Sequence, residues 1–180
     1  MILSDIELQA EIAAQRLVFD PPLGVNACQS ASIDLSLKNI FWKANVPSGP
    51  GIEITIDVGA AQAYSYLETI EADEITLGPH EFLLGETAEG MTMPQHLCGW
   101  IEGKSGRARH GLIVHCTAPH IAPGWGTPRP KPITLELANL GPLPLKLRAG
   151  IGIAQLIVMR LGSPSIVQYS GKHLALGSAP

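Results

Sequence analysis

The sequence predicts an all-β domain: a sandwich, jelly roll or barrel. Three observations carry this. Short segments of alternating apolar and polar residues recur, with turn signals about every 8 to 12 residues. The 15 prolines and 19 glycines fall mostly between those segments, which a helical bundle would not tolerate. The 180 residues are 46% hydrophobic and 16% charged, enough for one sizeable core. The one helical signature is at the start, where Ser4 and Glu7 form a capping box ahead of a short helix from Asp5 to about Gln15.

The remaining elements follow in order. Asp20-Pro21-Pro22 stops regular structure. Ser32 to Leu37 alternates with a period of two, and Ile40-Phe41-Trp42 continues the sheet. Pro47 to Gly51 is a turn by composition. Ile52 to Val58 alternates and reads as a strand, whereas Ala60 to Ala72 reads as either a short helix or a loop. Further strands are expected at Glu74–Leu77, Glu81–Thr87, Leu97–Glu102, Gly111–Cys116, Ile133–Leu137, Leu143–Leu147 and Gly152–Met159. Residues 1–161 are expected to form one domain, and the Gly-, Ser- and Pro-spaced residues 162–180 a tail.

Charge and cysteine content narrow the function. A net charge of −4 argues against a duplex-binding surface, so no nucleic-acid partner is expected. No apolar run approaches the ~20 residues of a membrane helix, and no membrane partner is expected. The start, Met-Ile-Leu-Ser-Asp-Ile-Glu-Leu, lacks the basic segment of a signal peptide, which predicts a cytoplasmic protein. Cys28, Cys98 and Cys116 are odd in number and have no CxxC spacing, so neither a disulfide framework nor a cysteine zinc site is expected.

Chemistry concentrates between Trp100 and Leu137. Lys104-Ser105-Gly106-Arg107-Ala108-Arg109 puts three of the chain's 12 basic residues within six positions. Small residues admit an anion close to the backbone, Ser and the amides donate, and Arg offers planar bidentate geometry for phosphate oxygens. The segment is either a polyphosphate cradle or an exposed basic turn. Glu136 stands between Leu135 and Leu137 and points away from both, on the face of Thr134. That face is either solvent or a pocket in which a carboxylate shuttles protons. The six histidines form no HxxxH pair with a matching carboxylate, and the HxE…PCxxC pattern of zinc deaminases is missing. Asp34 reads as structural, Trp100 and Trp125 as packing residues, His115 as a hydrogen-bonded strand residue, and Gln155 as a partner of neighbouring backbone.

Taken in order, these segments resemble deoxycytidine triphosphate (dCTP) deaminases of the dUTPase-like superfamily. The matching pieces are Met-Ile-Leu-Ser-Asp at 1–5, Gln-Ser-Ala-Ser-Ile-Asp-Leu-Ser-Leu at 29–37 and Leu-Gly-Pro-His-Glu-Phe-Leu-Leu-Gly-Glu-Thr at 77–87. They continue with Gly-Lys-Ser-Gly-Arg-Ala-Arg-His-Gly-Leu at 103–112, Val-His-Cys-Thr-Ala-Pro-His-Ile-Ala-Pro-Gly-Trp at 114–125, Ile-Thr-Leu-Glu at 133–136 and Ile-Ala-Gln-Leu-Ile at 153–157.

The resemblance implies a distorted, dUTPase-like β-barrel or jelly roll, assembled as a homotrimer with sites between subunits. It implies hydrolytic deamination of dCTP to dUTP and ammonia without zinc, with Mg²⁺ bound through the triphosphate. By position, Lys104, Ser105 and Arg109 would hold the phosphates, and Gly106 and Gln155 would join the binding set. Glu136 would be general base and acid, and the backbone at Thr117 and Ala118 would read the base and orient the water. Tyr169 and Lys172 would belong to a tail that closes the site. The alternatives are a dUTP diphosphatase, a bifunctional enzyme, or a nucleotide-binding trimer without catalysis.

Three departures stand out. Ala122 replaces the family's Asp, which contacts the deoxyribose in the deaminases and activates water in the dUTPases. The stretch Gly126-Thr-Pro-Arg-Pro-Lys-Pro132 is longer than the family's link into the Glu strand, and its prolines mark an edge or a loop over the site. His173 stands where Tyr is common and lacks the following Gln.

Overall fold

The computed structural model describes residues 1–46, 49, 55–57, 66–167 and 169. The elements are α1 (Asp5–Ala13), β1 (Val18–Asp20), β2 (Ile33–Ala44), β3 (Leu67–Glu71), β4 (Glu74–Leu77), β5 (Phe82–Thr92) and β6 (Leu97–Gly103). They continue with α2 (Ser105–Ala108), β7 (Leu112–Ile113), β8 (His120–Ile121), β9 (Lys131–Asn139), β10 (Leu145–Arg148) and β11 (Gly152–Arg160). The fold is all-β, as the alternation and turn spacing predict. A nine-stranded antiparallel sheet runs β7-β9-β5-β2-β11-β6-β8, with β1 beside β5 and β3 beside β2, and β10 pairs with β4 separately.

The sheet curls into a half-barrel because one face of each long strand is apolar. Ile33, Leu35, Leu37 and Phe41 of β2 pack with Leu83 of β5, Leu135 and Leu137 of β9, and Leu156 and Val158 of β11. Full burial of each such side chain contributes about 1.5–3 kcal/mol. The buried side chains of β9 alternate with half-buried ones along its whole length, and this fixes which residues can face a ligand.

The N-terminal helix obeys its capping box: Ser4 N donates to Glu7 Oε2 at 3.0 Å, and Glu7 N to Ser4 Oγ at 3.5 Å. Leu8 is fully buried, and Glu11, only 3% exposed, anchors the helix to the sheet. Its carboxylate accepts from Arg16 Nε at 2.7 Å and Arg160 at 3.3 Å, and meets His96 Nε2 at 3.0 Å. The Arg16 contact, more than any other, holds the Glu11 carboxyl below the usual carboxylate range. Leu3 N donates to Val158 O, so the first residues lie against β11.

Three expectations need correction. Of the strand expected at Ile52 to Val58, only Thr55, Ile56 and Asp57 are described, and they form no strand; Ile52–Ile54 and Val58 lie outside the described residues. The segment read as helix or loop ends in a strand instead, β3, which pairs Leu67–Glu71 with Ala44–Ile40 along the edge of β2. A twelve-residue β2 leaves backbone donors and acceptors along that edge, and pairing there overrides a weak local preference. The strand expected at Gly111–Cys116 shrinks to Leu112–Ile113, because the chain bends at Val114 and again at Cys116 and Thr117. The turn at Pro47–Gly51 lies outside the described residues except for Gly49. Among the described residues, no helix is long and apolar enough to cross a membrane.

Candidate active site

Glu136 is half-buried on the wall of a cavity. Ile133, Leu135 and Leu137 turn inward, and Thr134 and Glu136 line a cavity of about 830 Å³. Trp42, Leu84, Ile101, Ile121 and Trp125 supply much of its apolar wall. Pairing of β9 with β5 sets Glu136 directly opposite Leu84. The Cys116 amide donates to Glu136 Oε2 at 2.5 Å, and Glu136 N donates to Val114 O at 3.0 Å. Backbone thus holds this side chain as well as its main chain.

The segment between β7 and β8 forms the facing wall, with His115, Cys116, Ala118 and His120 on the cavity. Thr117 sits at φ +67°, a left-handed conformation that costs a β-branched residue about 1–3 kcal/mol. Strain of that kind persists where surrounding structure imposes it, and here it turns the backbone between Cys116 and Ala118. His115 Nε2 lies 3.4 Å from Glu102 Oε2, and Trp100 Nε1 donates to Glu102 Oε1 at 3.1 Å. Desolvation, and then the charge of Glu136, push the Cys116 thiol above its ordinary pKa.

The basic segment divides its labour. Lys104 Nζ pairs with Asp34 Oδ2 at 2.5 Å, and Arg107 Nε donates to Gly152 O at 2.6 Å. Both therefore brace the turn. Ser105 and Arg109 are exposed, and neither has a side-chain partner among the described residues. Gly106 faces open space, so the chain's own packing does not demand its small size. Gln155 Nε2 donates to Gly103 O at 3.1 Å, tying β11 to the strand that delivers Lys104. Arg109 lines a separate recess of about 550 Å³, with His110, Gly111, Pro142 and Leu143. Within the chain, Arg109 of the turn and the Glu136 carboxylate thus belong to different cavities.

Tyr169 lines the Glu136 cavity, its ring centroid 5.5 Å from that of Trp125. Burial pushes its phenol above the ordinary range. Gly124, at φ +87°, makes room: a Cβ there would lie 3.2 Å from Tyr169 Cβ and 2.9 Å from Gln95 Nε2. Lys172 lies outside the described residues.

A family model for dCTP deaminase-like proteins matches residues 2–161. The chain belongs to that family. It is 38% identical over 178 residues to the "dCTP deaminase, dUMP-forming" of Mycolicibacterium smegmatis, covering 99% of this chain and 89% of the relative. It is 39% identical over 173 residues to the protein of that name in Mycobacterium tuberculosis, covering 96% and 87% respectively. The solved 2'-deoxycytidine 5'-triphosphate deaminase from Agrobacterium tumefaciens superimposes with a TM-score of 0.65 at 20% identity, over 87% of this chain. The chain spans only 47% of that protein, and the likeness bears on the fold alone.

Among the family's expected site residues, Glu136, Ala118 and Tyr169 line one cavity, whereas Lys104, Ser105, Gly106 and Arg109 lie on a turn elsewhere. Thr117 shapes the cavity wall without lining it. Two groups escaped the sequence reading. The Cys116 amide carries no side-chain signal. The sequence places His115 in a strand; that strand stops two residues earlier, and His115 lines the cavity. Pro119, which cannot join a ladder, was the available hint that the strand ends.

Proposed function

We propose that the chain catalyses hydrolytic deamination of dCTP to dUTP and ammonia, with Glu136 as general base and then general acid. The observation that carries this reading is a carboxylate oriented by a backbone amide in a cavity whose volume falls in the ordinary range for small-ligand sites. Water adds to C4 of cytosine as Glu136 takes its proton. Glu136 passes that proton to ring N3, then takes the proton of the new C4 hydroxyl and delivers it to the amino group, so that the C4–N bond breaks and ammonia leaves. A carbonyl remains at C4. The reaction relies on the carboxylate in place of a zinc-bound hydroxide. The backbone turned at Thr117 presents amides and carbonyls suited to the base edge and the water.

The phosphates go to Lys104, Ser105, Gly106 and Arg109. Since this turn and Glu136 occupy different cavities in one protomer, the reading calls for a homotrimer in which one copy's turn faces a neighbour's carboxylate. Gln155 and Asp34 steady the turn. Asp34 Oδ1 has no hydrogen-bond partner among the described residues, and would accept from the water shell of a Mg²⁺ carried by the phosphates. That ion would offset phosphate charge. Tyr169, which lines the cavity, helps to close the site, and the enzyme works in the cytoplasm.

A second reading carries the reaction on to dUMP, and the names of the relatives favour it. Ala122 opposes it, since the residue expected to activate water for diphosphate cleavage is not an acid. One assay decides: the protein is incubated with dCTP, and ammonia and nucleotides are followed together. Ammonia with dUTP supports the first reading, and ammonia with dUMP the second. No ammonia with any cytidine nucleotide overturns both.

A further inference from the structure

The Pro-braced stretch 126–132 has no place in the reaction described so far, yet both of its ends spring from the Glu136 cavity. Trp125, just before it, and Ile133, just after it, line that cavity. Trp125 Nε1 donates to Lys131 O at 3.4 Å, clasping the base of the loop. Gly126, at φ +69°, packs so tightly on β5 that a Cβ would stand 1.9 Å from Met91 O. Pro128, Pro130 and Pro132 fix φ at alternate positions. The loop is therefore stiff, and ordering it around a ligand costs little.

Its charged residues are Arg129 and Lys131. Most cations of this protein are engaged: Arg16 and Arg160 with Glu11, Lys38 with Glu86, Lys43 with Glu81, Lys104 with Asp34, Lys146 and Arg148 with Glu74, and Arg107 with Gly152 O. Among the described residues, Arg129, Lys131 and Arg109 have no ion-pair or side-chain hydrogen-bond partner. Arg129 is exposed and Lys131 half-buried. In an acidic protein, two unengaged cations on the stiff stretch that joins Trp125 to Ile133, both on the wall of an apolar cavity, suit an anion whose uncharged part enters that cavity.

We propose that Arg129, supported by Lys131, is a second phosphate-recognition site, supplied by the same protomer as Glu136 and distinct from the turn that carries Arg109. It grips the charged end of the nucleotide from the rim, and it favours nucleotides over free nucleosides. The inference rests on the reading that this cavity takes the base.

The test uses full-length protein carrying Glu136→Gln, so that substrate is not consumed, and measures binding of dCTP and of deoxycytidine with and without Arg129→Ala. The expected result is about tenfold weaker dCTP binding with deoxycytidine unchanged, the size of one lost charged contact partly screened by solvent. Arg129→Lys should recover most of the loss, and the difference should shrink as salt is raised. Unchanged dCTP affinity overturns the inference and leaves the deaminase reading standing. An equal loss for dCTP and deoxycytidine overturns it too, because loop shape and not charge would then be the cause. If the otherwise unaltered Glu136→Gln protein binds neither, the underlying reading fails and takes the inference with it.

Discussion

Cys116 N and Glu136 Oε2 stand 2.5 Å apart, so a loop amide fixes the carboxylate that faces the cavity. A donor on one oxygen leaves the other free to meet water. Replacing Glu136 by Gln keeps the size and removes the base. Ammonia release from dCTP should fall about 10²- to 10⁴-fold while dCTP still binds. A variant deaminating at the wild-type rate would end the catalytic role.

The Cys116 thiol is a built-in reporter of that carboxylate. Desolvation and the Glu136 charge both raise its pKa, and the thiolate is the reactive form. Alkylation of Cys116, followed site by site by mass spectrometry, should need a higher pH than an ordinary exposed thiol. Glu136→Gln should shift that profile down. A profile unmoved by the substitution would mean that the two groups do not sense each other.

Arg109 and Glu136 line different recesses in one protomer, which makes the proposed trimer testable by complementation. Arg109→Ala should raise KM for dCTP about 10- to 100-fold. When Arg109→Ala and Glu136→Gln proteins are co-refolded and assayed at dCTP well below the raised KM, mixed trimers should be more active than either variant alone. No recovery would place both residues of a site in one copy.

Ala122 stands where the resemblance to the deaminases leads one to expect an acid against the sugar. The wild-type protein should therefore discriminate weakly between dCTP and CTP, and Ala122→Asp should sharpen the preference for dCTP in kcat/KM. Strong discrimination by the wild type would point to another residue reading the 2' position.

Glu11 ties the first helix to the sheet. Its folded-state pKa lies below the unfolded value. Its contribution to stability is therefore complete above the usual carboxylate range and is lost as pH falls through the folded value. Glu11→Ala should cost about 2–3 kcal/mol near neutrality. Chemical denaturation should show this cost shrinking in acid; a cost independent of pH would assign it to packing alone.

Much of this was readable in the residues because the physics is local. The Ser4–Glu7 box, the alternation of Ile33–Leu37 and the clean pattern at Ile133–Leu137 each depend on near neighbours. They define the helix, the central strand and the phase of Glu136. The same alternation could not say whether the Thr134 face meets water or a cavity. That depends on Leu84, Trp42 and a loop about twenty residues before Glu136 in the chain. The ambiguous stretch before Ala72 became β3 because β2 offered an open edge, and a window on the sequence does not see edges. The basic cluster was visible as composition, yet its split into bracing cations (Lys104, Arg107) and a free one (Arg109) required Asp34 and Gly152 to be in place.

The pairing of Leu3 with Val158, and of Glu11 with Arg160, has a bearing on how the chain is made. A ribosome releases the opening helix long before the strand that receives it. At about 5–20 residues per second, many seconds separate the two partners. Until β11 emerges, β2 and β6 lack the strand that joins them and the first segment lacks its seat, so the nascent chain has to wait, exposed, for both.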